Sequence, residues 1–252
     1  MRGAALAAAL LAGFVGTHLS AAAPVEVHPA GAAVPENLLR IELRFDRPQR
    51  LPFDVARVSL LDSTGWPIAD AFLDMTLPSA DGLRITLLMD PGRVKTEVGP
   101  NLALGRALHA GSAVRLVVDG VVKDWQVAPF QSQGPQPTRW RLEPPRAHTR
   151  DALVVSLNEA ISSPAESLIA VRDGAGRRVA GRTRLSRGDT VWAFVPEQPW
   201  QGGPHAVVAH PDLEDPAGNR ACAAFEQALA SAIRCVDEAA IRFETRASAP
   251  AR

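Results

Sequence analysis

The sequence predicts an all-β protein in which two β-sandwiches follow one another after an N-terminal targeting segment. Three observations support this prediction. Apolar and polar residues alternate with the period of a β-strand in many short runs, the two halves of the chain repeat one pattern, and no long run has helical periodicity. The crossover helices of a parallel sheet are also missing, which argues against an α/β fold.

Alternation is clearest around residues 39–46. Ile41, Leu43 and Phe45 alternate there with charged side chains, which predicts a strand with one buried face and one face in water. The runs 84–88 and 191–195 have the same character.

The internal repeat is carried by a strand, an Asp-x-x-Gly turn and a returning strand. Asp62 and Gly65 in the first copy correspond to Asp173 and Gly176 in the second, each 111 positions later. The closing turn at residues 213–219 has a less well preserved counterpart at residues 119–124. Within these turns Asp124 and Asp215 are only 91 positions apart, compared with the spacing of 111 found above. We therefore expect about 20 additional residues in the first copy, near residues 89–108.

These patterns give a predicted domain organisation. It comprises a signal peptide (1–23), a first sandwich with an inserted loop near 89–108 (24–130), a Pro- and Gln-rich linker (131–138), a second sandwich (139–246) and a disordered tail (247–252).

The N-terminal segment has the features of a cleaved export signal. Arg2 precedes an apolar run from Ala4 to Val15, and small residues follow, so we expect cleavage after Ala22. The apolar run is too short to span a bilayer, which takes roughly 20 residues. The mature chain is expected to be exported, without a membrane span, to the periplasm or the cell exterior.

Charge and cysteine content restrict the partners. The 27 Lys and Arg residues balance the 27 Asp and Glu residues, so nothing indicates a nucleic-acid partner. Cys222 and Cys235 are the two cysteines, and an even count in an exported chain favours a disulfide over free thiols or a metal site. Between them, residues 225–233 fit a short helix or an irregular loop equally well.

The inserted loop is the best candidate for a binding site. Loops on a rigid sandwich frequently carry binding residues, and this one combines two cations with an acid in a Gly- and Pro-rich setting. Its candidate ligand-binding residues are Arg93, Lys95, Glu97 and Asn101. The cations would suit a carboxylate, a phosphate or sugar hydroxyls. The alternative is a long loop with solvated charges that caps one end of the sandwich.

A second candidate is the acidic closing turn. Its oxygen-bearing side chains could bind calcium, which would be the only cofactor: Asp212, Glu214, Asp215 and Asn219. No EF-hand spacing is present, and Asp and Asn in such turns commonly bond to their own backbone.

No catalytic motif is recognisable, so no catalytic residues are assigned.

The five tryptophans are candidates either for packing in the core or for binding sugars: Trp66, Trp125, Trp140, Trp192 and Trp200. Trp192 is predicted to lie in the core. Trp66, Trp125 and Trp200 lie near turns, so some of them could be exposed and stack on sugars, although packing between domains is the commoner use.

The chain resembles the bacterial immunoglobulin-like domains of surface-layer and other secreted proteins. The resemblance rests on the segment from Pro29 to Asn37 before a strand ending in Phe45, on Trp192 to Pro196, and on the turn from Leu213 to Asn219. It implies two immunoglobulin-like β-sandwiches in tandem and a non-enzymatic module of the cell envelope or the cell exterior.

Three functions follow as hypotheses. The first is an exported structural or interaction module that binds a protein or an envelope polysaccharide. The second is a carbohydrate-binding module that uses residues 90–101 and exposed tryptophans, and a coplanar row of such rings would favour it. The third is a secreted hydrolase with a site between the domains, which a cleft with close carboxylates of raised pKa would favour.

Overall fold

A computed structural model describes residues 23–95, 99–221 and 239–247. It confirms the all-β prediction, since strands dominate and the helices are short. The predicted signal peptide, Glu97, the cysteine pair, residues 225–233 and most of the predicted tail lie outside the described residues. None of the helices in the described segments is long and apolar enough to cross a membrane.

The first sandwich packs two sheets around one core. Its strands are β1 (Glu26–His28), β2 (Ala33–Pro35), β3 (Arg40–Arg44), β4 (Val58–Leu61), β5 (Phe72–Pro78), β6 (Arg84–Met89), β7 (Ala113–Val118) and β8 (Val121–Ala128). One sheet has the order β1-β3-β6-β5 and the other β2-β8-β7-β4. Alternate residues of both sheets fill the core, among them Ile41, Leu43 and Leu116, which are almost completely buried.

The second sandwich has its own core and the same strand order. Its strands are β9 (Arg141–Glu143), β10 (Leu153–Ser156), β11 (Ile169–Asp173), β12 (Gly181–Ser186), β13 (Val191–Pro196), β14 (Pro204–Ala209) and β15 (Ala239–Glu244). The sheets are β9-β10-β13-β12 and β11-β14-β15. A parallel bridge from Arg146 to Arg246 takes the place of the parallel pairing of β2 with β8.

This strand order is that of an immunoglobulin-like fold. Lettering the strands of the first sandwich A, A′ and B to G in chain order gives one sheet A-B-E-D and one sheet A′-G-F-C. Immunoglobulin domains divide their strands between two sheets in this way. The fold assignment therefore rests on topology that both halves of the chain share.

The short helical segments lie in connections. Two α-helices, α1 (Pro91–Val94) and α2 (Gly99–Leu104), lie between β6 and β7. In the described segments, 3₁₀ turns are formed by Val55–Arg57, Pro137–Arg139 and Ser163–Leu168. Asp90 caps α1, because its side chain accepts a hydrogen bond of 2.7 Å from the Gly92 N–H.

The repeated Asp-x-x-Gly turns have the same geometry in both sandwiches. Asp62 Oδ1 accepts hydrogen bonds from the backbone N–H groups two and four residues later, and Asp173 Oδ1 does the same. The turn glycines have φ of 88° at Gly65 and 79° at Gly176, which is a conformation that favours glycine. The sequence repeat at this position therefore reflects a structural repeat.

The predicted equivalence of the closing turns is wrong. In the first sandwich β7 and β8 are joined by the tight turn Asp119–Gly120, and Asp124 lies inside β8. Both turn residues have positive φ, as a two-residue hairpin requires. In the second sandwich the same connection runs from residue 210 to 238, so Asp215 has no counterpart in the first.

Candidate functional site

The predicted loop site is partly internal. Arg93 is buried, and its guanidinium donates to the backbone carbonyl of Gly105 at 2.8 Å and to that of Ala69. These contacts favour a structural role, because they tie α1 to the residue after α2 in the same connection and to the connection between β4 and β5. Lys95 follows α1 and is half-buried, and its backbone N–H caps the helix at Pro91. Asn101 lies within α2.

The four proposed calcium ligands are engaged in contacts within the protein. Asp212 forms an ion pair with Arg220 at 2.8 Å, and Glu214 forms one with Arg40 of the first sandwich. Asp215 and Asn219 bond to each other across their own turn. No group of three His, Cys, Asp or Glu side chains suited to a metal ion occurs in the described segments.

Asp215 and Asn219 belong to a clamp around the linker residue Gln131. The Gln131 N–H donates to Asn37 Oδ1 at 3.0 Å, and its carbonyl accepts from the side-chain amides of Asn37 at 2.8 Å and Asn219 at 2.9 Å. One asparagine comes from each sandwich. The start of the linker is therefore fixed to both domains and does not act as a free spacer.

The Gln131 side chain brings two carboxyl groups together. Its Nε2 donates to Glu159 Oε2 at 2.8 Å and to Asp215 Oδ2 at 2.9 Å. Glu159 Oε1 is buried without a hydrogen-bond partner in the part of the chain that the structure describes. Two acids thus share one neutral donor, an arrangement in which a full negative charge on both is unfavourable.

Both of these carboxyl groups have raised pKa values. Burial, followed by the charge of Asp215, raises the pKa of Glu159 to about 7. Burial raises the pKa of Asp215 to about 6, although hydrogen bonds from Asn219 act in the opposite direction. The junction between the sandwiches therefore takes up protons near neutral pH.

A second polar cluster lies on the outer face of β3. The prediction that this face lies in water is wrong: Glu42 is only 3% exposed, because the second sandwich covers it. Ser163 Oγ donates to Glu42 Oε1 at 2.8 Å, while the Arg44 guanidinium reaches Glu42 at 2.8 Å, Ser163 at 2.6 Å and Glu166 at 3.1 Å. Leu39 adds a backbone hydrogen bond of 2.9 Å to Pro216.

A third contact joins β1 to the turn between β12 and β13. Asp189 is buried, its Oδ1 lies 2.9 Å from His28 Nδ1, and its Oδ2 accepts from the Ala30 N–H at 2.7 Å. Burial by itself lowers the pKa of His28, but the hydrogen bond and charge of Asp189 outweigh it, so the pKa is raised. Asp189 has a φ of 66°, so the contact is made from a turn residue in the left-handed region of the backbone.

The tryptophans are mostly internal. Trp125, Trp140, Trp192 and Trp200 are buried, which corrects the suggestion that Trp125 and Trp200 could be exposed. Trp125 and Trp200 donate their ring N–H groups to the backbone carbonyls of Pro29 and Asp151. Trp66 is 73% exposed, so one ring is available where a sugar-binding face would need several.

Sequence reasoning missed the junction almost entirely. It named Asp215, Asn219 and Glu214 but assigned them to calcium, and it passed over Gln131, Glu159, His28 and Asp189. No local sequence pattern indicates these contacts, because Gln131 bonds to Glu159, Asp215 and Asn219, which lie 28 to 88 positions further along the chain. Charged residues on a strand do not by themselves reveal that a second domain covers them.

Taken together, the fold and its polar junction define a tandem immunoglobulin-like protein whose two domains are joined by polar contacts. Comparison with known protein families found no match, and neither did comparison with curated proteins. Solved structures give faint similarities. The titin domains Z1Z2 in complex with telethonin share 11% identity at a TM-score of 0.26, covering 83% of this chain and 88% of that one.

Two further solved structures have similarly low identities and TM-scores. The tandem Ig repeats of Dlar share 14% identity at a TM-score of 0.25, covering 75% of this chain and 90% of that one. L,D-transpeptidase 3 from Mycobacterium tuberculosis shares 15% identity at a TM-score of 0.27, covering 65% of this chain and 63% of that one. The fold assignment rests on strand order, and these scores add nothing to it.

Proposed function

We propose that the protein is an exported, non-enzymatic structural or interaction module of the bacterial cell envelope. Its partner would be another protein or an envelope polysaccharide. The observation that carries this proposal is the junction, where polar clusters around Gln131, Glu42 and Asp189 hold the two sandwiches in one orientation. A fixed pair of domains presents one constant surface, which lowers the entropy lost when a partner binds.

The orientation is tested by measuring residual dipolar couplings of the two sandwiches in the mature protein. A single alignment tensor that fits both domains supports a fixed module. Two tensors of different magnitude would show independent domains and would remove the basis of the proposal. Export is tested separately, by fractionating cells that make the full chain and sequencing the N-terminus of the mature protein, which should begin after Ala22.

A secreted hydrolase is the second candidate, because close carboxyl groups of raised pKa do occur between the domains. In such an enzyme Glu159 and Asp215 would divide the roles of acid and base. Asp215 is only 1% exposed, however, and its oxygens are occupied by Asn219 and Gln131. This burial favours a structural role for the pair.

The hydrolase hypothesis is tested with chromogenic glycosides and esters. The expected result is no turnover by the mature protein. Turnover that is lost in the Glu159→Gln variant, while the variant keeps its fold, would establish an enzyme and overturn the non-enzymatic proposal.

A further inference from the structure

A cavity of about 370 Å³ lies between the two sandwiches, separate from the linker clamp. Residues of β1 and β8 line one side, and residues 184–189 of the β12–β13 hairpin line the other. Cavities at domain interfaces are common sites for small ligands, and this volume lies at the small end of the usual range.

The inner wall of the cavity is fixed by buried polar groups. His28 and Asp189 are both more than nine-tenths buried, and they bond to each other across the domain boundary. Asp189 also accepts from the Ala30 N–H. The cavity therefore has a defined shape that depends on both sandwiches.

The acids that line the cavity already have partners. Asp189 is satisfied by His28 and Ala30, while Glu26 lies 3.3 Å from His28 Nε2 and 3.6 Å from Arg44 Nη1. Their charges are therefore compensated from within the protein.

The cations of the lining are not compensated in this way. Arg184 and Arg187 are exposed and form no ion pair within residues 23–95, 99–221 and 239–247. Lys123 donates to the Ala30 carbonyl at 2.7 Å and forms no ion pair within the same described residues. The cavity consequently carries an excess of positive charge, and guanidinium groups bind carboxylates and phosphates through paired hydrogen bonds.

Apolar side chains complete the lining. Val25 is 61% exposed and Val122 is 52% exposed, and both line the cavity. Val27, Val121 and Leu185 extend the apolar wall. Aliphatic surface next to free cations suits a ligand that has an apolar body and an anionic head group.

We propose that this cavity binds a small amphiphilic anion, with its carboxylate or phosphate on Arg184, Arg187 and Lys123 and its aliphatic part against Val25 and Val122. No Trp or Phe ring occurs in the described lining, and the imidazole of His28 is buried, so a ring on which a sugar could stack is not provided. A ligand in this position would contact both sandwiches, and it would stabilise their association by mass action.

The test is isothermal titration of the mature protein with sodium octanoate below its micelle concentration, with thermal unfolding as a second readout. We expect saturable binding and a higher melting temperature. Acetate, which lacks the tail, and octanol, which lacks the charge, should each bind at least about tenfold more weakly. Titration with octyl phosphate compares the affinity for a phosphate head group with that for the carboxylate of octanoate.

The test variant carries both Arg184→Gln and Arg187→Gln. The matched control variant carries Arg182→Gln alone. Arg182 is exposed on the same strand but does not line the cavity. The double variant should lose octanoate affinity by at least about tenfold, and Arg182→Gln should bind as the parent protein does. Absence of octanoate binding, equal binding of octanol, or an unchanged affinity in the double variant would each overturn the proposal.

Discussion

The same strand meets different surroundings in the two sandwiches. In the first, the outer face of β3 carries Glu42 and Arg44, and the second sandwich buries it. In the second, the corresponding strand β10 presents Val154 and Ser156, which stay half-buried. Alternating polarity identifies β3 correctly as a strand, but it does not say whether the polar face meets water or another domain.

The largest expected effect comes from Arg44→Ala. It removes the cation that faces Glu42 and Glu166, and it leaves the buried carboxylate of Glu42 without its cation. Breaking a buried ion pair from one side costs about 3–5 kcal/mol, so we expect a loss of about 3 kcal/mol in the free energy of unfolding, measured with urea.

The control is Arg47→Ala, three residues further along the chain and beyond the end of β3. Arg47 is exposed and lies 4.0 Å from Asp46, so its loss should hardly change stability. Equal effects of the two substitutions would contradict the claim that the face of β3 is a buried interface.

Gly134→Ala should have the next largest effect. A Cβ atom at Gly134 would lie 2.7 Å from the Asn219 carbonyl oxygen and would clash with the backbone of Arg220, so the linker would have to move. Overpacking of this kind costs about 1–3 kcal/mol, and thermal unfolding should show it.

Gly202→Ala is the matched control for the linker, since nothing lies within 4 Å of a Cβ atom there. A melting temperature for Gly134→Ala equal to that of Gly202→Ala would mean that the linker does not pack against the second sandwich as described.

How far the sequence predicts this molecule depends on the range of the interactions. Local patterns such as Asp62 to Gly65 specify their own turn, because the carboxylate bonds to N–H groups within four residues. The position of Asp215 depends on Gln131 and Glu159, which are distant in sequence. The contacts of Arg93 could not be predicted from local sequence either. Its charge indicated a binding site, but in the folded chain its guanidinium bonds to backbone carbonyls.

A smaller effect is expected from Glu159→Gln, and it depends on pH. The pKa of Glu159 is about 7 in the folded protein and near 4.5 when unfolded, so folding is favoured by the bound proton at low pH. That contribution is complete below about pH 4.5 and is lost as the pH rises through 7. Asp215 and His28, whose pKa values are also raised, act in the same direction.

The Gln variant carries no charge at this position, so it should melt at a higher temperature than the parent protein at pH 8 and at nearly the same temperature at pH 4.5. Glu143→Gln, at an exposed position of β9, should leave the pH profile as it is. A parent protein whose stability rises steadily from pH 5 to pH 8 would contradict the proposed proton uptake at the junction.

The smallest effect on stability is expected from a substitution on the exposed face of the sheet β2-β8-β7-β4. There Arg115 of β7 faces Asp124 of β8 at 2.7 Å. More than half of each side chain is exposed, so water and salt screen the ion pair, and ordering two flexible groups offsets most of the attraction. Asp124→Asn should therefore leave the melting temperature within error of the parent value at physiological salt. A loss of stability as large as that caused by Arg44→Ala would imply that this face is also covered. The ion pairs on the two sheets would then contribute more similarly to stability than their exposure indicates.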